Sequence, residues 1–199
     1  MTRPGVGRRA VLVAPIGTAV GAREIAAALA CAGSDPDRAG LLIELAEEGP
    51  APRPALVASA AARSVEERLR AHLPEAAVAA RGRICHLRVA ADESGVEAIA
   101  AAVPLGRESV AVVSLPPSRL RAALERCAEA VGGVLLRADL DRDRALAALA
   151  VHGLAPSGLR VSVAKRPLAW AQGRLALFGA LPPAAAGGLP PRLRERCLP

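Results

Sequence analysis

The chain reads as α/β, a doubly wound three-layer α/β/α fold around a mostly parallel six-stranded sheet. Three observations carry that reading. Short β-branched runs alternate with Ala/Leu/Arg-rich segments along most of the chain. The run Ser109-Val-Ala-Val-Val-Ser-Leu115 has a continuous apolar centre, as expected of a strand covered on both faces. The first strand enters a Gly-containing turn that opens directly onto an Ala-rich helix. Strands alternating with helices imply right-handed crossovers, with helices on both sides of the sheet. A length of 199 residues suits one such domain and is enough to bury a sizeable core.

Taken in order, residues 10–15 form the first strand and residues 21–32 the first helix. Ser34-Asp-Pro-Asp37 breaks the chain before the second strand, 40–45. The loop Gly49-Pro-Ala-Pro-Arg-Pro54 is neither helical nor central in a sheet. Residues 58–73 return to helix, with Ser64 as its cap and Glu67 closing a capping box. The third strand is 83–89, followed by a helix over 94–103 that Pro104 ends. After the strand at 109–115, Pro116-Pro117 leads into a helix over 118–130. Gly132-Gly133 precedes a strand at 134–137, and Asp141 starts a helix running to 151. The last strand is 159–164 and the last helix 168–177. Residues 1–180 make up the domain, and 181–199 form a Pro/Gly-rich basic tail with no expected fixed structure.

Composition narrows the function classes. Trp170 and Phe178 are the only aromatic residues, so base stacking, the usual grip on single-stranded nucleic acid, is poorly served. The formal charge is +7, and Lys165 is the only lysine among the 26 basic residues. The arginines are scattered among acids and not gathered into runs, and Arg, Ala, Gly and Pro are abundant together, as a GC-rich coding sequence produces. Cys31, Cys85, Cys127 and Cys197 share no metal-ligand spacing, which points to reduced, mostly buried thiols in a cytoplasmic protein. No apolar run reaches the ~18 residues of a membrane span. Arg8-Arg9, an apolar stretch and Val20-Gly21-Ala22 have the outline of a secretory signal, but the same stretch reads better as strand, turn and helix.

The turn after the first strand is the natural ligand site, because doubly wound folds bind at the carboxyl ends of their strands. Gly17-Thr-Ala-Val-Gly-Ala-Arg23 resembles the deviant P-loop of MinD/ParA-type partition ATPases, where Lys-Gly-Gly-Val-Gly-Lys-Thr fills those seven places. Leu41-Leu-Ile-Glu-Leu45 resembles the family's second strand, and Val112-Val-Ser-Leu-Pro-Pro117 its Walker B strand and following turn. The resemblance covers residues 8–180 by order and pattern more than by identities, and it implies a P-loop NTPase-like fold.

The departures fall on the chemistry. The family's signature lysine corresponds to Gly17, its P-loop lysine to Ala22, and its Mg²⁺-binding hydroxyl to Arg23. Ser114 stands where a metal-holding carboxylate would be, and Glu44 near the carboxylate that would orient water. Phosphoryl transfer runs on positioned positive charge, and Arg23 is not the equivalent of an ammonium. The resemblance therefore implies a pseudo-ATPase: no catalytic residues, no metal, no cofactor, and a degenerate phosphate loop of Gly17, Thr18, Gly21, Ala22 and Arg23. It implies work through protein partners in localisation, secretion or division-type assembly, and leaves room for a homodimer. The alternative is an α/β sensor or enzyme that takes a small anion or nucleotide at the Gly17–Gly21 turn, with Arg23 as its clamp. DNA binding through dispersed arginines is a third reading and requires strongly salt-dependent affinity.

Other features read blandly. Asp139-Leu-Asp-Arg-Asp143 lacks the glycine and glutamate of a calcium loop and suits a helix start. His72, His86 and His152 sit in no catalytic pattern and read as surface or satisfied histidines. Cys85 and His86, adjacent in a strand, point to opposite faces. Ser114 and Ser118 have no G-x-S-x-G elbow around them. Glu66, Glu67 and Arg70 form a solvated salt-bridging face. Trp170 and Phe178 share one face of the last helix, as core or as an interface anchor.

Overall fold

In the computed structural model of the chain, which describes residues 10–16, 21–47, 52, 57–106, 109–128, 130–138, 144–145, 147–148 and 160–164, all six expected strands form. They are β1 (Ala10–Ile16), β2 (Gly40–Leu45), β4 (Ile84–Val89), β5 (Val110–Ser114), β6 (Val131–Ala138) and β7 (Arg160–Ala164). A seventh strand, β3 (Ala77–Arg81), joins them, giving one sheet in the order β3-β4-β2-β5-β1-β6-β7. The six are mutually parallel, and β3 pairs antiparallel with β4 at the edge. The sequence Ala-Val-Ala-Ala-Arg of β3 carries little intrinsic strand signal. The tight turn at Gly82, whose φ of 56° favours glycine, folds it back onto β4.

Four helices cover the sheet among the described residues that make full helices: α1 (Ala22–Ala32), α2 (Ala60–His72), α3 (Glu93–Leu105) and α4 (Pro117–Arg126). They divide between the faces. Side chains of α1 pack with Val11, Val13, Leu42, Val110, Val112 and Leu135 in one apolar cluster. Side chains of α2, α3 and α4 pack in the other, with Leu12, Leu41, Ile43, Leu87, Val113 and Leu136. The molecule is thus a three-layer α/β/α sandwich. The run of alanines in α1 lets it approach the sheet closely. At Gly40 any Cβ would strike the Ala30 carbonyl, so that approach requires glycine.

Several boundaries differ from the sequence reading, each for a local reason. Ser59, not Ser64, caps α2: its extended backbone lets Oγ accept from the Ala62 N–H at 3.1 Å, whereas Ser64 lies inside the helix. Pro104 falls within α3, where its missing N–H costs a bond only in the last turn. Helix α4 stops at Arg126, and β6 begins at Val131. The Gly132-Gly133 pair is absorbed into β6, where the register against β1 shifts between Ala10 and Val11. Residues 144–145 and 147–148 are helical, and Ala145 joins the larger core. The Asp139–Asp143 run, His152, Trp170, Phe178, Cys197, the helix expected at 168–177 and the tail 181–199 lie outside the described residues. No helix among the described residues is long and apolar enough to cross a membrane.

The topology fixes where a ligand crevice falls. The connection after β1 runs through α1 on one face to reach β2. The connection after β5, which lies beside β1, runs through α4 on the opposite face to reach β6. Adjacent strands whose connections leave on opposite faces form a topological switch point, and the gap opens at their carboxyl ends.

Candidate functional site

The α1 face of the sheet changes character along its strands. Side chains two residues apart in a strand share a face. Glu44 therefore follows Leu42, Ser114 follows Val112, Arg137 follows Leu135, and His86 and Arg88 follow Ile84, all beneath or beside α1. All five are buried polar residues; Glu44, Arg88, Ser114 and Arg137 lie in the carboxyl halves of their strands, and His86 lies just before the middle of β4. The apolar amino half anchors α1, and on the polar side Glu44 meets the first turn of the helix through Arg23.

The first turn is set by Gly21, which opens α1 with φ 92° and no side-chain cap. That left-handed backbone favours glycine and sets the entry into the helix. Ala22 is buried against the sheet, and Arg23 reaches to β2, where its Nε lies 2.8 Å from Glu44 Oε1. The contact is an ion pair of proximity, since the Nε–H does not point along a hydrogen-bond direction. On the other side, His86 Nε2 lies 3.1 Å from Glu44 Oε2, bridging β4 to β2. Arg88 stands beside Glu44 in the β2–β4 register.

Glu44 is only 5% exposed. Burial pushes its carboxyl upward, but the His86 hydrogen bond and the charges of Arg23, His86 and Arg88 outweigh that, and the pKa falls below its ordinary value. Glu44 is therefore an anion at neutral pH. An ionised carboxylate only accepts, so His86 Nε2 is the donor of the shared bond.

Among the residues singled out from sequence, Gly21, Ala22 and Arg23 meet at the switch point, while Gly17 and Thr18 lie outside the described residues. Ser114 ends β5 in register with Val13 of β1 and Glu44 of β2, and the Leu115 N–H donates to the Val13 carbonyl at 3.1 Å. Among the described residues, the charged neighbours of Glu44 are the cations Arg23 and Arg88 and the His86 ring. Comparisons with protein-family models, with curated proteins and with solved structures found no match for this chain.

Sequence reasoning missed the bond between His86 and Glu44, which are 42 residues apart. It also missed Arg88 and Arg137 as members of a polar band. The available signal was a polar residue at alternate positions near the end of each apolar strand. Several of the other features that fall on described residues match their reading. His72 is exposed, with Nδ1 2.9 Å from the Arg68 carbonyl oxygen. Arg70 pairs with Glu66 at 2.7 Å. Cys85 packs in the larger core on the face opposite His86, and burial pushes its thiol up to about 12. Burial likewise takes the Cys31 thiol to about 11, so neither is a ready nucleophile.

A cavity of about 650 Å³ opens where β2 and β4 end, between α2 and α3, lined by Ala46, Leu73, Ala77, Arg88, Ala90 and Gly95 among others. It shares Arg88 with the Glu44 cluster. The α3 N-terminus beside it is already capped, with Asp92 Oδ1 accepting from the Gly95 N–H at 3.0 Å and the Ser94 hydroxyl at 2.7 Å.

Proposed function

We infer that the chain is a non-hydrolysing relative of MinD/ParA-type ATPases that works through protein contacts in localisation, secretion or division-type assembly. One observation carries the reading. The cation in the first turn of α1, at the switch point, is engaged by the chain's own Glu44. Phosphoryl transfer needs positive charge and Mg²⁺ on the β- and γ-phosphates. Ala22 occupies the place of the P-loop lysine, and Ser114 that of a metal-holding carboxylate. A frame kept without its reacting groups retains value as a surface for partners. Isothermal titration with ATP and Mg²⁺, paired with a phosphate-release assay, tests the reading. No turnover and no micromolar binding are expected; micromolar binding with measurable turnover overturns it.

A second reading has one observation in its favour. The Arg23 side chain remains 40% exposed at the head of α1, so part of its guanidinium faces solvent. On that reading the protein is a sensor or enzyme for a small anion or nucleotide, with Arg23 as its clamp. Phosphorylated metabolites should then raise the unfolding midpoint, and Arg23→Ala should abolish the rise. Absence of any stabilisation in the parent protein removes this reading.

A further inference from the structure

Three basic side chains from two different elements surround one buried carboxylate. Arg23 comes from α1, His86 and Arg88 come from β4, and the Glu44 carboxylate between them comes from β2. Both oxygens are used, Oε1 toward Arg23 and Oε2 toward His86. This is the arrangement in which a protein holds an oxyanion, with a cation and an N–H donor each taking a different oxygen. The carboxylate also lies near the first turn of an 11-residue helix opened by Gly21, where backbone dipoles favour negative charge. A second anion brought to that turn would meet the Glu44 charge in a largely dry setting, where like-charge repulsion is strong.

We propose that Glu44 is an internal anion occupying an oxyanion site built by Arg23, His86 and Arg88, and that its presence keeps phosphoryl and carboxylate ligands from the head of α1. This rests on the non-hydrolysing reading above and gives it a cause: the lost lysine is only half of the change, and a carboxylate filling the site is the other half. The contact is autoinhibitory in the plain sense that the chain competes with a ligand for its own cations. Removing the charge at Glu44 exposes the site to small anions from solution.

The test is thermal unfolding of the full chain in rising inorganic phosphate, with ionic strength held constant by chloride. The parent protein is expected to show no phosphate-specific change. Glu44→Gln, which removes the charge, and Glu44→Ala, which also makes room, are expected to gain a saturable rise of about 2–4 °C once phosphate reaches about five times its Kd. Adding Arg23→Gln to either variant should remove the gain. If a Glu44 variant fails to fold in plain buffer, phosphate or formate in the refolding buffer should restore it. The proposal is overturned if the parent responds as strongly as the variants, if neither variant responds or is rescued, or if the response survives loss of Arg23. ATP turnover by the parent would sink the non-hydrolysing reading instead, so the two failures are told apart by different measurements.

Discussion

The two faces of the sheet are built to different rules. Beneath α2, α3 and α4 the strands are apolar to their ends: Leu12, Ala14 and Ile16 on β1, Leu41, Ile43 and Leu45 on β2, Cys85 and Leu87 on β4. Beneath α1 they start apolar and finish polar, at Glu44, His86 and Arg88, Ser114, and Arg137. Burying apolar area stabilises by about 25 cal/mol per Å² without regard to direction. Burying polar groups costs unless each finds its partner, and it fixes geometry in return. Apolar burial thus supports both faces, and among the described residues the second also holds a cluster where position matters more than area.

Residues 86 and 87 give the sharpest way to break this contrast, because they are chain neighbours on opposite faces. Leu87→Ala, at a fully buried site in the larger core, is expected to cost about 2–5 kcal/mol by urea unfolding. His86→Ala leaves Glu44 short of one donor and is expected to cost about 1–3 kcal/mol. Equal or reversed costs would mean that the polar band is as much a packing layer as the face opposite.

The pH dependence separates the faces in another way, with a smaller effect. The folded-state pKa of Glu44 is depressed, since His86, Arg23 and Arg88 outweigh the opposing effect of burial. A depressed carboxyl contributes stability that is present above its unfolded value, about 4.3, and is lost as pH falls through the lower folded value. Acid titration of stability should show this loss below about pH 4.3 in the parent. In Glu44→Gln that part of the acid limb should be missing. Leu87→Ala should lower the whole curve while leaving its acid limb unchanged in shape. An identical acid limb in the parent and Glu44→Gln would show that Glu44 is not linked to folding as the geometry requires.

Much of this architecture was legible because strands buried on both faces announce themselves as unbroken apolar runs, as in Val110–Val113 and Leu41–Ile43. Gly21 was legible too, since a tight strand-to-helix turn favours glycine, and its φ is indeed positive. Strand β3 was not, because its hold on the sheet comes from the Gly82 turn and the β4 edge and not from its own alanines. The Ser59 cap was missed because Ser64 offers the same local pattern, and only backbone geometry distinguishes them. The Glu44–His86 bond was beyond reach for a deeper reason. It depends on β2 lying beside β4 in a register that pairs Leu42 with His86, and no local spacing in the chain encodes that register.

The smallest expected effects come from two ion pairs with the same separation. Arg23–Glu44 and Arg121–Glu125 both have nitrogen and oxygen 2.8 Å apart. Distance alone would rank them as equals. Arg121 and Glu125, however, are 60% and 63% exposed on one helix face, where water and salt screen the charges and holding two long side chains costs entropy. Arg23 reaches a Glu44 side chain only 6% exposed, so removing the arginine leaves a buried anion with one counter-charge fewer. Because Arg23 itself is partly exposed, its loss is expected to cost about 1–2 kcal/mol in Arg23→Gln, well under the cost of breaking a fully buried pair. Arg121→Gln should leave the urea midpoint within measurement error. Raising salt should narrow whatever difference Arg121 makes and leave most of the Arg23 effect in place, because screening acts on solvated charges far more than on buried ones. If the two variants behave alike, the polar half of the α1 face is only an inward-turned surface, and the contrast between the faces loses its physical basis.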